Sequence, residues 1–317
     1  MYVRIYIFVY TLAMDTIQLM RVFSRVVETG SFSRAAAELG LSQPSATKAV
    51  AEAEHRLGAR LLHRSTRGVT PSEVGLIYYE RCKSITRAVE EAEAVASLAQ
   101  GEMTGTLRIS SSVGFGRRVM TSLVTEYMRL HPKLVIDLSL DDRYVNLVEQ
   151  GMDVAVRMGR MADSTLGANY LGLNPWIIVA APSYIAARGV PTSPGDLSTH
   201  DCLVYSSVQG EDRWHLEGSS DVVSASVALR ARLRSNNLSM ILSACRAGMG
   251  VCILPRYVAH QSLITGKVVQ VLPDYAPPAQ EVHAVYPSPR LLPRKISHFI
   301  GWLRAQLDGE WWTRAYD

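Results

Sequence analysis

The stretch SFSRAAAELGLSQPSATKAV, residues 31–50, decides the fold of the N-terminal part of the chain. It predicts two short helices with a tight, glycine-containing turn between them, and the second helix should reach about Leu57. Such a pair is typical of a helix-turn-helix, and the alanines at 35–37 would let the two helices cross closely. The predicted caps and stops are serines and glycines: Ser31 or Ser33, Gly40, Ser42 and Gly58.

An amphipathic helix is predicted just before this pair, from the N-cap Asp15 to about Thr29, where Gly30 ends it. In the last of the three helices, apolar residues recur at spacings of 4, 3 and 4 and should face the core. These residues are Ala46, Val50, Ala53 and Leu57.

The polar face of this last helix carries the side chains that indicate DNA binding. Gln43, Pro44, Thr47 and Lys48 cluster about a third of a turn from the core face. Gln43 suits a bidentate contact to adenine, Thr47 offers a hydroxyl and a methyl group, and Lys48 suits a phosphate. The alternative for each is an ordinary exposed polar residue. The surrounding motif favours DNA contact for Gln43 and Thr47, whereas Pro44 and Ser45 are evenly balanced.

A basic run follows these helices. The formal net charge of the chain is only +4, so the position of the charge is more informative than its sum. Residues 55–67 contain no acidic side chain and include His55, Arg56, Arg60, His63, Arg64 and Arg67. By itself such a run is most often a solvated face, and it indicates DNA only where the surrounding fold supports DNA binding.

These motifs resemble those of LysR-type transcriptional regulators. Residues 31–45 resemble the family's helix-turn-helix, residues 57–67 its wing, and residues 70–75 the start of its linker helix. Two positions depart from the family pattern, because Ala53 stands where leucine is usual and Lys48 where arginine is common. The resemblance implies a sequence-specific DNA-binding transcriptional regulator that is not an enzyme.

The resemblance also implies which residues meet DNA. Arg64 and Arg67 would contact phosphates or the minor groove from the wing, in a largely sequence-independent and salt-sensitive way. The full expected set is Ser33, Arg34, Ser42, Gln43, Pro44, Ser45, Thr47, Lys48, Arg64 and Arg67.

A long helix is predicted from Ser72 to about Gln100, a stretch without proline and without glycine after Gly75. Apolar residues recur there at spacings of 4, 4, 3, 4, 3, 4 and 3: Val74, Tyr78, Cys82, Ile85, Val89, Ala92, Ala96 and Ala99. Because a helix cannot bury such a stripe on itself, it needs a partner. The family uses this helix for dimerisation, and a two-fold dimer reads a two-fold operator. Packing against the chain's own C-terminal domain is the alternative.

Strand and helix patterns alternate after a hinge at residues 101–105, which predicts an α/β architecture with mainly parallel sheets. Looser matches at residues 105–109, 151–157 and 247–255 resemble the LysR effector domain. The implied fold class is an all-α winged helix-turn-helix N-terminal domain plus an α/β two-lobed effector domain, similar to periplasmic binding proteins.

The expected domain boundaries follow from the same resemblance. Residues 14–72 would form the winged helix-turn-helix DNA-binding domain, 73–101 the linker (dimerisation) helix and hinge, and 102–317 the effector-binding domain. Within the last, lobe 1 would span about 105–177 and 281–308, and lobe 2 about 178–280.

Polar residues that follow strands predict a small-molecule site between the lobes, where hydroxyls and backbone N–H groups could hold a carboxylate. Helix capping is an equally weighted alternative for the serines and asparagines. Arg157 could pair with an anion or form an internal salt bridge. The expected effector-binding residues are Ser111, Ser112, Arg157, Tyr205, Ser206, Asn236 and Asn237.

Two other functional classes are less well supported. No H-E-x-x-H, G-x-S-x-G or Walker motif indicates an enzyme. Four cysteines without a C-x-x-C pair favour reduced, packed thiols over a zinc site or a disulfide framework, so neither metal nor cofactor is expected. A solute-binding protein that does not bind DNA is the second rival, and the first hundred residues argue against it.

The segment MYVRIYIFVYTLA, residues 1–13, is apolar but shorter than the ~20 residues of a membrane span, and no cleavage pattern follows it. An upstream start codon, with Met14 as the natural first residue, is favoured over a weakly inserting anchor. The sequence thus predicts a cytoplasmic protein without a membrane partner. The implied partners are double-stranded operator or promoter DNA, a small-molecule effector, further copies of the chain as dimer and tetramer, and RNA polymerase.

Overall fold

The computed structural model describes residues 15–65, 68–99, 103–142, 147–159, 166–207, 212–219, 222–287 and 292–314. Contacts between Cα atoms divide the chain into two compact units, with the boundary between Gly105 and Thr106.

The described residues of the first unit form four helices and a two-stranded hairpin. In chain order these are α1 (Thr16–Thr29), α2 (Phe32–Glu38), α3 (Gln43–Leu57), β1 (Leu62–Ser65), β2 (Gly68–Pro71) and α4 (Glu73–Ala99). The antiparallel hairpin β1–β2 occupies the predicted wing. The fold class predicted for this part of the chain is confirmed.

The helix boundaries match the capping signals. The Asp15 side chain accepts from the Ile17 N–H at 3.1 Å, and the Ser42 hydroxyl accepts from the Ser45 N–H at 3.3 Å. Of the two candidates for α2, Ser31 is the N-cap, since its hydroxyl accepts from the Arg34 N–H. The chain leaves α1 and α3 through left-handed glycines, Gly30 and Gly58.

The core of the first unit lies between α1, α2 and α3 and includes Phe23, Ala35, Ala46, Ala49 and Val50. The prediction for Leu57 is wrong: it is the last residue of α3, beyond the buried part of the helix, and 48% of its surface is exposed. Ala37 is also exposed. The close crossing of α2 and α3 therefore uses Ala35 and Ala36 alone among the three alanines.

Part of the apolar stripe predicted on α4 packs inside the first unit. Cys82 is fully buried in the core, and the rings of Tyr78 and Phe23 have their centroids 5.3 Å apart. The prediction that these two residues need an outside partner is wrong, because α1 already covers them. Val74 and Ile85 remain exposed. The side chains of Ala96 and Ala99 lie outside the described residues.

Gly75 lets the first turn of α4 approach the backbone of Leu61, the residue before β1. Its N–H donates to the Ser72 hydroxyl at 2.9 Å, and that hydroxyl donates to the Arg60 carbonyl at 2.8 Å. A Cβ at position 75 would overlap the carbonyl oxygen of Leu61.

We therefore expect Gly75→Ala to lower the free energy of unfolding by about 1–3 kcal/mol or more, measured in urea, because a backbone atom must move. The matched control is Gly301→Ala, also within a helix, where an added Cβ meets nothing within 4 Å. It should raise stability by about 0.4–1 kcal/mol by restricting the unfolded chain. Equal effects of the two changes would contradict the steric explanation.

The part of the second unit that the structure describes forms two five-stranded sheets. The first consists of β3 (Gly105–Ser111), β4 (Leu134–Leu140), β5 (Val154–Met158), β6 (Gly167–Asn174) and β15 (Gln280–Tyr286), in the order β4-β3-β5-β15-β6. The second consists of β7 (Trp176–Ala180), β8 (Asp201–Tyr205), β11 (Arg230–Ser235), β12 (Val251–Pro255) and β13 (Val269–Gln270), in the order β11-β8-β12-β7-β13. A small sheet β10-β9-β14 adds β9 (Arg213–Gly218), β10 (Ala225–Ala228) and β14 (Tyr275–Ala276).

Helices connect these strands. Three consecutive helical segments follow β3 and are together called α5: Val113–Phe115, the π-helical Gly116–Met120, and Thr121–Leu130. The others are α6 (Pro182–Arg188), α7 (Leu238–Arg246), α8 (Arg256–Ile264) and α9 (Arg294–Gln306), with 3₁₀ turns at Pro194–Ser198 and Trp311–Thr313.

Both large sheets are mixed, so the prediction of mainly parallel sheets is wrong although the α/β class is confirmed. β3 and β5 are parallel, but β15 runs antiparallel to β5 and β6. β8 is parallel to β11 and β12, but β7 is antiparallel to β12. The reversed strands are those next to the places where the chain passes from one sheet to the other, after β6 and before β15.

Candidate nucleic-acid interface and effector cavity

The N-terminal turn of α3 is held by its alanine face and leaves its polar face open. Ala46, Ala49 and Val50 are fully buried. Thr47 is half-buried, and the remaining predicted DNA-binding residues of this helix are exposed: Gln43, Pro44, Ser45 and Lys48. A small apolar side on a helix allows close packing, so the polar side of the same turn stays at the surface.

A hydrogen bond between α2 and α3 orients the side chain of Gln43. The Ser33 hydroxyl donates to Gln43 Oε1 at 3.0 Å, and both residues are exposed. Among the residues that the structure describes, the amide nitrogen of Gln43 has no partner. The structure therefore brings Ser33 and Gln43 together with a free donor at the start of α3.

Three other predicted DNA-binding residues make contacts within the protein. The hydroxyls of Ser42 and Ser45 are 2.8 Å apart, and Ser42 also caps α3. The Arg34 guanidinium donates to the Thr29 carbonyl at the end of α1. Capping accounts for Ser42, whereas Ser45 and Arg34 are tied locally and remain exposed.

The wing is attached to α3 through Glu54, which the sequence analysis did not identify. Glu54 Oε1 accepts from the N–H groups of Leu61 at 2.8 Å and Leu62 at 3.2 Å. Its other oxygen lies 4.0 Å from the Arg64 guanidinium, which also stacks 4.8 Å from the centroid of the Phe32 ring. Arg64 is thus held between α2 and α3, and Arg67 lies outside the described residues. The only available sequence signal was a carboxylate directly before a basic run.

A cavity of about 300 Å³ opens in the second unit where β3 ends and α7 begins. Four predicted effector-binding residues line it: Ser112, Tyr205, Asn236 and Asn237. An added Cβ on Gly114 would come within 3.0 Å of the Leu238 side chain, so the starts of α5 and α7 meet here. Two helix N-termini therefore border one cavity, an arrangement that favours anions.

The other three predicted effector-binding residues stand apart from the lining of this cavity. Ser111 is fully buried in β3, and Arg157 donates to the Ser110 hydroxyl at 2.8 Å. Ser206 is exposed after β8, with its N–H bonded to the Ser235 carbonyl. Asn237 does line the cavity, but it also caps α7 by accepting from the Met240 N–H at 3.1 Å, as the capping alternative expects.

Three charged residues of this cavity were missed in the sequence analysis: Arg117, Arg118 and Asp142. Burial lowers the pKa of Arg118, and the neighbouring Arg117 and Arg246 lower it further, while Tyr257 opposes them. Within the described ranges, no carboxylate lies at salt-bridge distance from Arg118. The adjacent arginines shortly after a strand end were the signal that could have identified them.

Asp142 takes over the capping role that the Ser112 hydroxyl would otherwise have. Ser112 occupies the N-cap position of α5 but makes no capping bond with its side chain. Instead the Val113 N–H donates to Asp142 Oδ1 at 2.9 Å. The Ser112 hydroxyl is therefore available to a ligand.

All four cysteines are buried free thiols. Burial raises the pKa of Cys82 to about 11 and that of Cys202 to about 12, so both are protonated near neutral pH. Among the described residues, no cluster of His, Cys, Asp and Glu is arranged to hold a metal ion. No helix in the described part of the chain combines the length and apolar character needed to cross a membrane.

Comparison with known proteins defines the class. Residues 17–76 match the family described as bacterial regulatory helix-turn-helix protein, lysR family, and residues 100–308 match the LysR substrate binding domain. This chain therefore belongs to the LysR family: it is a DNA-binding transcriptional regulator with a helix-turn-helix N-terminal domain and an effector-binding domain. Regulators of this type bind DNA and small-molecule effectors and are oligomeric.

Individual relatives cover nearly the whole chain. It is 32% identical over 284 residues to an HTH-type transcriptional regulator of Haemophilus influenzae, across 90% of this chain and 98% of that protein. The full-length Vibrio cholerae virulence activator AphB is 26% identical with a TM-score of 0.59, across 92% of this chain and 99% of that one. The same values of identity, coverage and TM-score apply to CrgA, a LysR-type regulator from Neisseria meningitidis.

Proposed function

We propose that this regulator reads a two-fold operator through the start of α3 and the wing, and that a small anion bound in the second unit modulates it. Residues 14–72 would contact DNA, 73–101 would link and dimerise, and 102–317 would sense the effector in lobe 1 (about 105–177 and 281–308) and lobe 2 (about 178–280). The observation that carries the DNA part is the exposed, Ser33-oriented amide of Gln43 above a buried alanine face.

The proposed division of labour at the DNA follows the contacts. Gln43 and Thr47 read base edges, because they combine side-chain donors and acceptors at the start of α3. Lys48, Arg34, Arg64 and Arg67 contact the phosphate backbone. Ser42 acts through the cap of α3, and Ser33 positions Gln43. Pro44 and Ser45 lie at the same surface.

The remaining parts of the proposal rest on family membership. We propose that the chain acts as a regulator without catalytic activity, in the cytoplasm, as a dimer that assembles into a tetramer, with RNA polymerase as a further partner. The effector acts by favouring one arrangement of this multimer, since a ligand shifts only an equilibrium between states that it binds differently.

Gel shift on the upstream intergenic DNA, with single-base operator variants, tests the DNA assignments. Gln43→Ala should cost about 1–3 kcal/mol on the preferred operator and flatten the preference at one base position. Arg64→Ala should weaken binding to all DNA sequences similarly. It should also reduce by about 1 the slope of the logarithm of the binding constant against the logarithm of the salt concentration.

The control is Arg129→Ala, an exposed arginine on α5 of the second unit, which should leave both readouts unchanged. A loss confined to one operator base in Arg64→Ala would contradict its phosphate assignment. Unchanged base preference in Gln43→Ala would remove the proposed reading role of α3.

A further inference from the structure

The charges of the effector cavity restrict the ligand that can occupy it. Among the described residues that line it, Arg117 and Arg118 carry positive charges and Asp142 carries a negative charge. The lining thus favours a carboxylate beside the arginines and disfavours a second negative charge beside Asp142.

Arg118 is the group that most needs an anion. It is half-buried, and within the described ranges no carboxylate pairs with it. A charge removed from water without a partner is costly, and a carboxylate beside a guanidinium removes that cost through charge-assisted hydrogen bonds. The Ser112 hydroxyl, free of capping, is a further donor at the same end of α5.

Asp142 sets the second requirement. Its Oδ1 accepts from the Val113 N–H, and an ionised carboxylate can only accept hydrogen bonds. A ligand group that faces its other oxygen must therefore donate, and a second carboxylate there would be repelled. An ammonium or hydroxyl group meets this requirement.

The rest of the lining is polar and small. On the α7 side the cavity is lined by Asn236, Asn237 and Ser239. The apolar residues of the lining are Val113 and Leu238. A volume of about 300 Å³ lies at the lower end of the ~300–1,000 Å³ typical of small-molecule sites. An aromatic ring in this space would displace the water bound to charged and amide groups, and it could not form hydrogen bonds with those groups in its place.

We infer that the cavity binds a small carboxylic acid with a hydrogen-bond donor beside its carboxylate, a hydroxy acid or an amino acid, rather than an aromatic acid. The inference rests on the proposed anion site and specifies its ligand. The carboxylate meets Arg118 and the Ser112 hydroxyl, and the donor meets Asp142.

Calorimetric titration of the full chain with acids of one carbon skeleton tests the inference. The probes are butyrate, 2-hydroxybutyrate and 2-aminobutyrate, with benzoate as the aromatic acid. The hydroxy or the amino acid should bind roughly 10- to 100-fold more tightly than butyrate, as expected for a hydrogen bond to a charged group. Benzoate should bind no better than butyrate.

Three variants separate the contributions. Arg118→Met should abolish binding of every acid. Asp142→Asn keeps an oxygen that can accept from the Val113 N–H, so the start of α5 stays capped, while the advantage of the substituted acids over butyrate should disappear. Arg129→Met, on the same α5, is the matched control. It should change neither the binding of the acids nor the advantage of the substituted acids over butyrate.

Benzoate or butyrate binding as tightly as the substituted acids would overturn the inference, and loss of that binding in Arg118→Met would leave the proposed anion site standing. Failure of all four acids to bind at millimolar concentration would also overturn the inference. Binding that persists in Arg118→Met would overturn both. The DNA assignments are tested separately by gel shift and survive either result.

Discussion

Replacing Lys295 by methionine should lower the stability of the second unit by about 3–5 kcal/mol, because it removes a cation that neutralises a buried carboxylate. Lys295 is 4% exposed at the start of α9, and Asp153 is fully buried just before β5. Lys295 Nζ lies 3.8 Å from Asp153 Oδ2 and donates to the Thr106 carbonyl at 2.6 Å.

The pair joins α9, β3 and the residue that precedes β5, three segments that are distant in sequence. Asp153 Oδ2 also accepts from the Arg108 N–H at 2.8 Å, within β3. Lys295 therefore anchors α9 to the first residues of the second unit, where the chain enters it. Methionine has a similar length but can neither donate to Thr106 nor neutralise Asp153.

Urea unfolding followed by tryptophan fluorescence measures this change, since all five tryptophans lie in the second unit. The matched control is Lys267→Met, an exposed lysine of the same unit, expected to change stability by no more than about 0.5 kcal/mol. The double change Lys295→Met with Asp153→Leu should recover part of the loss, because no charge then remains buried. Similar values for Lys295→Met and Lys267→Met would show that the pair contributes little.

The sequence predicted the first unit well because its signals are local. The caps Asp15 and Ser42 and the glycines at positions 30 and 58 act within one helical turn, so neighbouring residues suffice to place them. The prediction that Leu57 is buried was wrong, because the spacing of apolar residues gives the direction in which a side chain points. It does not show how far along the helix the neighbouring elements reach. Glu54 was missed because its partners belong to the wing.

The second unit was less predictable, because its site is formed by residues that are distant in sequence and meet only in the folded chain. Ser112 and Asn236 could be placed by the rule that strand ends face ligands. Asp142 could not, because its role depends on the return of β4 beside β3, which brings it to the Val113 N–H. The mixed strand directions likewise depend on how the chain passes between the sheets.

In α4, too, the sequence predicts the helix itself but not which of its residues are covered by distant parts of the chain. Its exposed residues lead to the largest expected effect on function. Tyr78 and Cys82 pack within the first unit, so the surface left for a partner is the exposed part of the predicted stripe together with exposed residues beside it. Ile77 is 64% exposed and Ile85 41% exposed. Other exposed residues on this face are Val74, Ala88 and Ala92.

These residues follow the spacing of one helical face, since 74, 77, 85, 88 and 92 differ by 3, 8, 3 and 4. Arg81 lies on the same face between Ile77 and Ile85, and the exposed apolar residues on both sides of it form a row that marks an interaction surface. In a regulator family that is oligomeric, a second copy of α4 is the partner that we expect.

The double change Ile77→Glu and Ile85→Glu should therefore separate the two chains that share the α4 interface, because carboxylates would face each other across the two-fold axis. Analytical ultracentrifugation should then show a smaller assembly than that of the unchanged chain. Affinity for a complete operator should fall by about 10²–10⁴-fold, since the second half-site would no longer be bound intramolecularly. Affinity for a single half-site should change little, because the α3 surface is untouched.

Ile264→Glu is the matched control, an equally apolar residue that is 65% exposed on α8 of the second unit. It should leave both the sedimentation of the assembly and the operator affinity unchanged. A double variant with unchanged sedimentation would assign the interface to another surface. A smaller assembly that still binds the full operator with unchanged affinity would show that the two half-sites are not read together.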